Sequence, residues 1–237
     1  MEGIDLAAGT SSRSSKLIHG GLRYLEQLNF SLVREALRER GLLLTRLAPH
    51  LVRPVLFVYP LRHRYWERFY VGPACCSTTP SGERGPCPGT GTSAAQAALR
   101  LAPALREDAL VGAVRYYDAQ VDDARHTLMT ARTAARYGAA LATSARVTGF
   151  LRDGERVTGV RVRDLESGRD LEVRGRQVVS ATGLWTEELL RQVGGSRYHV
   201  RMSKGIHFTV PGDRITSGTG LILRTEKSVL FVIPVPG

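Results

Sequence analysis

Long apolar runs are missing from this chain. No window approaches 18 uninterrupted apolar residues, which excludes a membrane-spanning helix built from such a run. No basic, apolar, small-residue leader opens the sequence. Cysteine is scarce: Cys75, Cys76 and Cys87 are the only three, too few for a disulfide framework and without zinc-ligand spacing. A reduced, cytoplasmic setting is the expectation. Lysine is scarcer than its charge partner: Lys16, Lys204 and Lys227 stand alone, and every other cation is arginine. Aromatics make up 7% and form no stripe within a basic patch, so a nucleic-acid module that stacks bases is not expected. Three chemical signatures are absent as well: G-x-x-x-x-G-K-[ST], H-E-x-x-H, and a strand followed by G-x-G-x-x-G. The GTGTSA at 89–94 has no strand before it.

What is present suits a globular protein. The 237 residues carry 43% hydrophobic and 23% charged side chains, enough for one large domain or two small ones. The net charge is +11 and the sequence pI about 10.2. Two readings of that excess stand side by side. One is a GC-rich gene that codes arginine at exposed positions. The other is a basic face that meets phosphate groups.

Periodicity places the elements. From Ser31, as N-cap, Leu32, Val33, Ala36, Leu37, Leu43, Leu44 and Leu47 recur at helical spacing up to Pro49. LVRPVLFVY (51–59) reads as a strand whose Pro54 suggests an edge or a bend. Residues 72–94 hold all three cysteines and no large apolar residue, so they cannot offset their own ordering entropy. They read as a long loop, or as text from a gene read out of frame between about 71 and 97. A short helix follows at 95–105. VRYYDAQVDD then leads into a strong helix, 122–137, with Asp122 and Asp123 in its first turn, a buried stripe of Ala124, Leu128, Ala131 and Ala135, and Gly138 as C-cap. Three strand-like stretches come next (140–150, 157–164, 171–183), turned at DGE (153–155) and SG (167–168). VVSATG ends the last of them as a buried strand. A short helix at 186–194 and strands HFTV (207–210) and SVLFVIPV (228–235) complete a mixed α/β order.

Four clusters carry chemistry. TSSRSSKLIHGGLRYLE (10–26) sets Thr10, Ser11, Ser12, Ser14 and Ser15 beside Lys16, with Gly20–Gly21 following. Small hydroxyls and glycine let a backbone approach a ligand, and lysine supplies a point charge for an anion; a solvated loop would also look so. Arg23 offers a planar fork for phosphate and Tyr24 a hydroxyl. In YYDAQVDDAR (116–125) the adjacent carboxylates read as caps. SATGLWT (180–186) ends a strand at a small-residue turn, which suits a pyrophosphate or flavin edge. RMSKGIH (201–207) gathers Arg201, Lys204 and His207.

In this order the blocks TSSRSSKLIHGGLRYLE, LVREALRERGLLLTRLAPHLV, RYYDAQVDDARHTL, VVSATGLWT, RMSKGIH and LILRTEKSVLFVIP resemble the FAD-dependent, respiratory glycerol-3-phosphate dehydrogenase family, especially its actinobacterial members. The resemblance spans nearly all of the chain outside 72–94. It implies an α/β fold: an FAD-binding, Rossmann-like domain of the glutathione-reductase/D-amino-acid-oxidase type with an antiparallel substrate sheet. It implies oxidation of sn-glycerol 3-phosphate to dihydroxyacetone phosphate, with electrons passed to a quinone. By position, Thr10, Ser11, Ser12, Ser14, Ser15, Lys16 and Leu17 would line the FAD. Glu2 would bind its ribose and Val147 would make a backbone contact on the adenine side. Ala181, Thr182, Gly183 and Trp185 would lie beside its phosphates. Arg23, Tyr24 and Arg201 would hold the substrate phosphate, and Arg201, Lys204 and His207 are the catalytic candidates.

The domain assignment that follows puts the FAD-binding part in 1–49 and 118–196, and the substrate-binding part in 50–117 and 197–237. The family opens with a strand and a G-x-G-x-x-G turn that fall before Met1, and it continues beyond FVIPVPG. An inactive or truncated fragment that binds FAD weakly or not at all is therefore expected. The remaining expectations are a cytoplasmic protein, peripheral on an anionic membrane face, which binds no nucleic acid and can form a homo-oligomer. Two alternatives stay open: an amino-acid or sarcosine-type oxidase of the same superfamily, against which Arg23–Tyr24 argue, and a non-catalytic basic remnant that binds lipid or nucleic acid.

Overall fold

The computed structural model describes residues 1–19, 29–61, 91–192, 199–225 and 229–235. Two compact units divide the chain: Met1–Arg13 with Asp123–His207, and Ser14–Asp122 with Phe208–Gly237.

The second of these is organised on two long antiparallel strands, β2 (Val52–Leu61) and β4 (Gly112–Val121), paired over their whole length from Val52↔Val121 to Leu61↔Gly112. On the outer edge of β4 lie two short strands, β1 (Leu17–Ile18) and β3 (Gly91–Ser93). On the outer edge of β2 lies β8 (Gly220–Arg224), parallel to it at Phe57 and Val58, followed by β9 (Val229–Val232). Alternation along the strands sends successive residues to opposite faces. One face carries Val55, Phe57, Leu61, Val114, Tyr116 and Ile222, with the Phe57 and Tyr116 rings stacked at 5.6 Å. The other carries Val58, Ala113 and Leu221 under Ala98 and Ala102, and Val52, Ala119 and Val121 under Leu44 and Ala48.

Helix α1 spans Phe30–Leu42 and runs into a π-helical turn, Leu43–Leu47, that ends before Pro49. Its N-cap is Asn29, not Ser31. Asn29 Oδ1 accepts from Leu32 N at 3.3 Å and also from the Ser31 hydroxyl, because Asn29 stands one residue outside the first helical turn, where a side-chain oxygen can reach a free N–H. The inward stripe is Val33, Ala36, Leu37, Arg40 and Leu44, so a charged residue occupies a core position. Pro54 does not place β2 at a sheet edge throughout. The strand is interior at Phe57–Val58, and Pro54 lies beyond the reach of β8, where a missing N–H forfeits no bond on that side. Of the 72–94 stretch, only its end lies within the described residues, and Gly91–Ser93 form a strand there, paired with Ala113–Arg115. Helix α2 (Ala95–Leu101) follows.

The other unit holds a three-stranded meander, β5 (Ala145–Asp153), β6 (Arg156–Asp164) and β7 (Asp170–Arg174). Gly154 and Gly168 take φ of +58° and +71° at its two turns, backbone that glycine adopts without strain. Helix α3 spans Asp123–Arg136 and is closed by Gly138 at φ +90°. Its expected stripe is not buried: Leu128 and Ala135 are exposed, and the covered side runs through Ala124, Thr127, Ala131 and Ala134. Among the described elements its main packing partner is the 3-10 turn Thr10–Ser12, too small to cover a full stripe. Two expected strands are also absent. Val178–Thr182 and His207–Val210 have no ladder partner among the described residues, and Val179 and Phe208 are 80% and 87% exposed. A strand needs a neighbour for its N–H and C=O groups, and apolar alternation alone supplies none. A last helix, α4, covers Thr186–Arg191.

Candidate functional site

The run Thr10–Leu17 is shared between the two units. Thr10–Ser12 form the 3-10 turn that α3 packs on, with the Arg13 N–H donating to Thr10 O at 3.0 Å. Gly9, just before it, faces the Trp185 ring: a Cβ there would meet Cη2 and Cζ3 at 3.4 Å. The structure thus brings the residue that precedes the first cluster against the third. Thr182 O accepts from Trp185 N at 3.0 Å, and Gly183 takes φ +53° to open the 3-10 turn Gly183–Trp185. Hydroxyls of Ser180, Thr182 and Thr186 lie 3.3 and 3.4 Å apart in series, and Ala181 is exposed between them. Glu2 is bound through its backbone, its N–H donating to Ala142 O at 2.8 Å and its carbonyl accepting from Ala145 N at 3.0 Å. Its exposed side chain therefore hangs beside β5, the strand of Val147.

In the second unit Lys16 N donates to Ser14 Oγ at 2.9 Å, and Lys16 takes φ +59°, a left-handed conformation uncommon outside glycine. Its carbonyl accepts from Val121 N at 3.0 Å, which starts the β1–β4 ladder, with Leu17 opposite Gln120. Ser15 is half-buried and Ser11 exposed. Arg23 and Tyr24 lie outside the described residues.

Arg201, Lys204 and His207 are all exposed on a segment without helix or strand, where Lys204, Gly205, Ile206 and His207 line a shallow hollow. The tie that precedes this segment was not legible in the sequence. Glu187, in the first turn of α4, accepts from Arg191 Nη2 at 2.9 Å, from Val200 N at 3.1 Å and, across 3.3 Å, meets His199 Nδ1. The Arg191 hydrogen bond is the largest cause of a carboxyl pKa below the ordinary value, with the Val200 N–H and His199 adding to it. A depressed folded pKa means that the tether is intact above the unfolded carboxylate pKa and is lost as pH falls through the folded one. The expected result is that the Val200 amide stays protected from exchange at neutral pH and loses protection in that acidic window. In Glu187→Gln that pH dependence disappears. Hydrogen exchange measured across the acid range reads both.

Sequence reasoning also missed Arg40, Asp118, Arg53 and Gln120. Arg40 Nη1 lies 2.6 Å from Asp118 Oδ1 and 3.0 Å from Tyr117 O, and the two side chains are 5% and 7% exposed. Tyr117 falls in the gap on the outer edge of β4 between the residues paired by β3 and those paired by β1. The guanidinium therefore satisfies a carbonyl that neither short strand reaches. The available signal was the alternation in GAVRYYDAQV, where Asp118 and Gln120 continue the face of Val114 and Tyr116.

The mixed sheet of one unit, the antiparallel meander of the other and these clusters agree with the class of FAD-linked oxidoreductases. The family described as FAD dependent oxidoreductase matches residues 2–237, and the chain belongs to it. Within that family it is 55% identical over 237 residues to a glycerol-3-phosphate dehydrogenase of Mycobacterium leprae, covering 99% of this chain and 40% of the relative. It is 36% identical to the mitochondrial glycerol-3-phosphate dehydrogenase of Rattus norvegicus, over 99% of this chain and 34% of that protein. The glycerol-3-phosphate dehydrogenase of Bacillus halodurans, solved with FAD, superposes with a TM-score of 0.71 at 25% identity, over 99% of this chain and 39% of that one. The chain thus spans between a third and two fifths of the length of these relatives. Among the described residues no helix is long and apolar enough to cross a membrane.

Proposed function

We propose that this chain carries the FAD-binding and substrate-binding parts of an enzyme that oxidises sn-glycerol 3-phosphate to dihydroxyacetone phosphate. The supporting observation is 55% identity over 99% of the chain to the Mycobacterium leprae glycerol-3-phosphate dehydrogenase. The residues present fit an FAD in kind. Gly9 lacks a Cβ where Trp185 closes on it, Gly183 holds a left-handed turn, and Glu2 presents a free carboxylate beside β5.

In this reading Glu2 holds the ribose hydroxyls, and Val147 contacts the adenine side through its backbone. Thr10, Ser11, Ser12, Ser14, Ser15, Lys16 and Leu17 line the cofactor. Ala181, Thr182, Gly183 and Trp185 lie beside its phosphates. When bound, FAD supplies the acceptor for the hydride that leaves C2. Arg23, Tyr24 and Arg201 hold the substrate phosphate, where a guanidinium offers paired N–H donors to its oxygens. Lys204 and His207 stand for proton transfer at the C2 hydroxyl. The division of the chain into an FAD-binding part (1–49, 118–196) and a substrate-binding part (50–117, 197–237) belongs to the same proposal. So do a quinone as final acceptor, a homo-oligomer, and a cytoplasmic protein peripheral on anionic lipid, which the charge of +11 favours.

The test is anaerobic bleaching of flavin absorbance in a full-length chimera that carries this chain in place of the matching segment of the Mycobacterium leprae relative. sn-Glycerol 3-phosphate is expected to bleach it and amino acids are not. Bleaching by amino acids alone would move the reading to the oxidase branch of the superfamily.

A further inference from the structure

We propose that Arg53, held in place by Gln120, is an additional anion-binding residue of the β2–β4 unit, one that takes a phosphate group. The proposal deepens the glycerol-phosphate reading and rests on it for the identity of the ester.

Arg53, Gln120 and Leu17 lie directly opposite one another across β2, β4 and β1, so they share one face of the sheet. That is the face of Val55, Phe57, Val114 and Tyr116, and Arg53 stands at its end. Gln120 is 5% exposed. Its Oε1 accepts from Arg53 Nη2 at 2.8 Å, and its Nε2 donates to Pro234 O at 3.2 Å. A carbonyl cannot accept from a carbonyl, so the Pro234 bond leaves only the oxygen end of the amide to face the guanidinium. Arg53 is therefore oriented by a buried, doubly bonded group and not left as a free surface chain.

The anchor is neutral. No carboxylate among the described residues lies within ion-pairing distance of Arg53. The carboxylate two residues along the same face, Asp118, is engaged by Arg40. A guanidinium has five N–H donors in a planar fork, and the bond to Gln120 uses one of them at Nη2. Arg53 is exposed, so the rest of the fork keeps its full charge, already oriented before any ligand arrives. Pre-orientation lowers the entropy lost on binding, and a forked donor matches phosphate oxygens better than an ammonium does. The run Ser14–Leu17, with its hydroxyls and Lys16, reaches the same end of the sheet, since Lys16 O accepts from Val121 N next to Gln120.

The experiment titrates the full chain with inorganic phosphate and, separately, with sn-glycerol 3-phosphate at low ionic strength, followed by calorimetry, with folding checked by far-UV circular dichroism. Arg53→Gln is expected to weaken binding of both about tenfold, the usual size of a lost charged hydrogen bond, and Arg53→Lys to weaken it less. Gln120→Glu is the discriminating variant. It keeps an oxygen facing Arg53 and cancels its charge, at the cost of the Nε2 donor to Pro234 O, so phosphate binding is expected to fall as in Arg53→Gln with the far-UV spectrum of a folded chain. Equal binding of both ligands by the parent chain and by Gln120→Glu overturns the proposal and leaves the glycerol-phosphate reading standing. Absence of phosphate binding by the parent chain overturns it as well. Loss of phosphate binding in both variants, without any preference for glycerol 3-phosphate over inorganic phosphate, supports the anion site and counts against that reading.

Discussion

Arg40→Met unfolds at markedly lower denaturant than the parent chain, with a loss of about 3–5 kcal/mol. The pair it breaks, Arg40–Asp118, is almost fully buried at 2.6 Å. Removing the cation takes away the charge that faces the Asp118 carboxylate at 2.6 Å in a place shielded from water, and weakening the pairing of a buried charge is among the costliest defects in a protein. The same change also removes the donor to Tyr117 O. The size of the effect reflects the cost of the buried carboxylate losing its cation more than any net worth of the pair. The double variant Arg40→Met with Asp118→Leu, which removes both charges, is therefore expected to recover most of the loss. Urea unfolding monitored by circular dichroism gives all three values, and a double variant as weak as the single one refutes the account.

The second large effect is expected where β2 meets β8. A Cβ on Gly220 would fall 2.5, 2.6 and 2.8 Å from three carbons of the Phe57 ring. That ring has no exposure and is stacked on Tyr116, so it has no empty space to move into. Gly220→Ala is expected to cost about 1–3 kcal/mol through overpacking. Phe57→Ala, which empties the same volume, is expected to cost about 3–5 kcal/mol. Because the two sites share one contact, the costs do not add. Alanine at 220 should be better tolerated, or neutral, once Phe57 is alanine. A double-mutant cycle measures this, and strict additivity would show that the ring is not what Gly220 avoids.

Both predictions concern side chains that sequence patterning passed over. β4, the strand through the middle of the second unit, reads as a lead-in to α3 because Asp118 and Gln120 interrupt its apolar face. A polar residue at a buried position looks like a loop until its partner is known, and the partner here is 78 residues away. Arg40 is hidden in the same manner, at helical spacing between Val33 and Leu44, where the pattern calls for an apolar residue. The converse error falls on Val178–Thr182 and His207–Val210, where apolar character promised strands that no described neighbour pairs. The candidate site divides along similar lines. Gly9 against Trp185 joins two motifs far apart in the chain, and Thr10–Leu17 falls partly in each unit.

The sequence by itself determined the family, the mixed α/β class, helices α1, α2 and α3 and the two turns of the meander. All of these are local: periodicity, caps, glycine at positive φ and short runs of characteristic residues are written in neighbouring positions. Only the tertiary structure decided which polar residues are buried, which glycine must stay bare, and which arginine is held by a neutral amide with its charge free. Each of those depends on a partner brought in from a distant part of the chain, and the energy of a buried charge, a ring contact or a shared amide belongs to the pair and not to either residue.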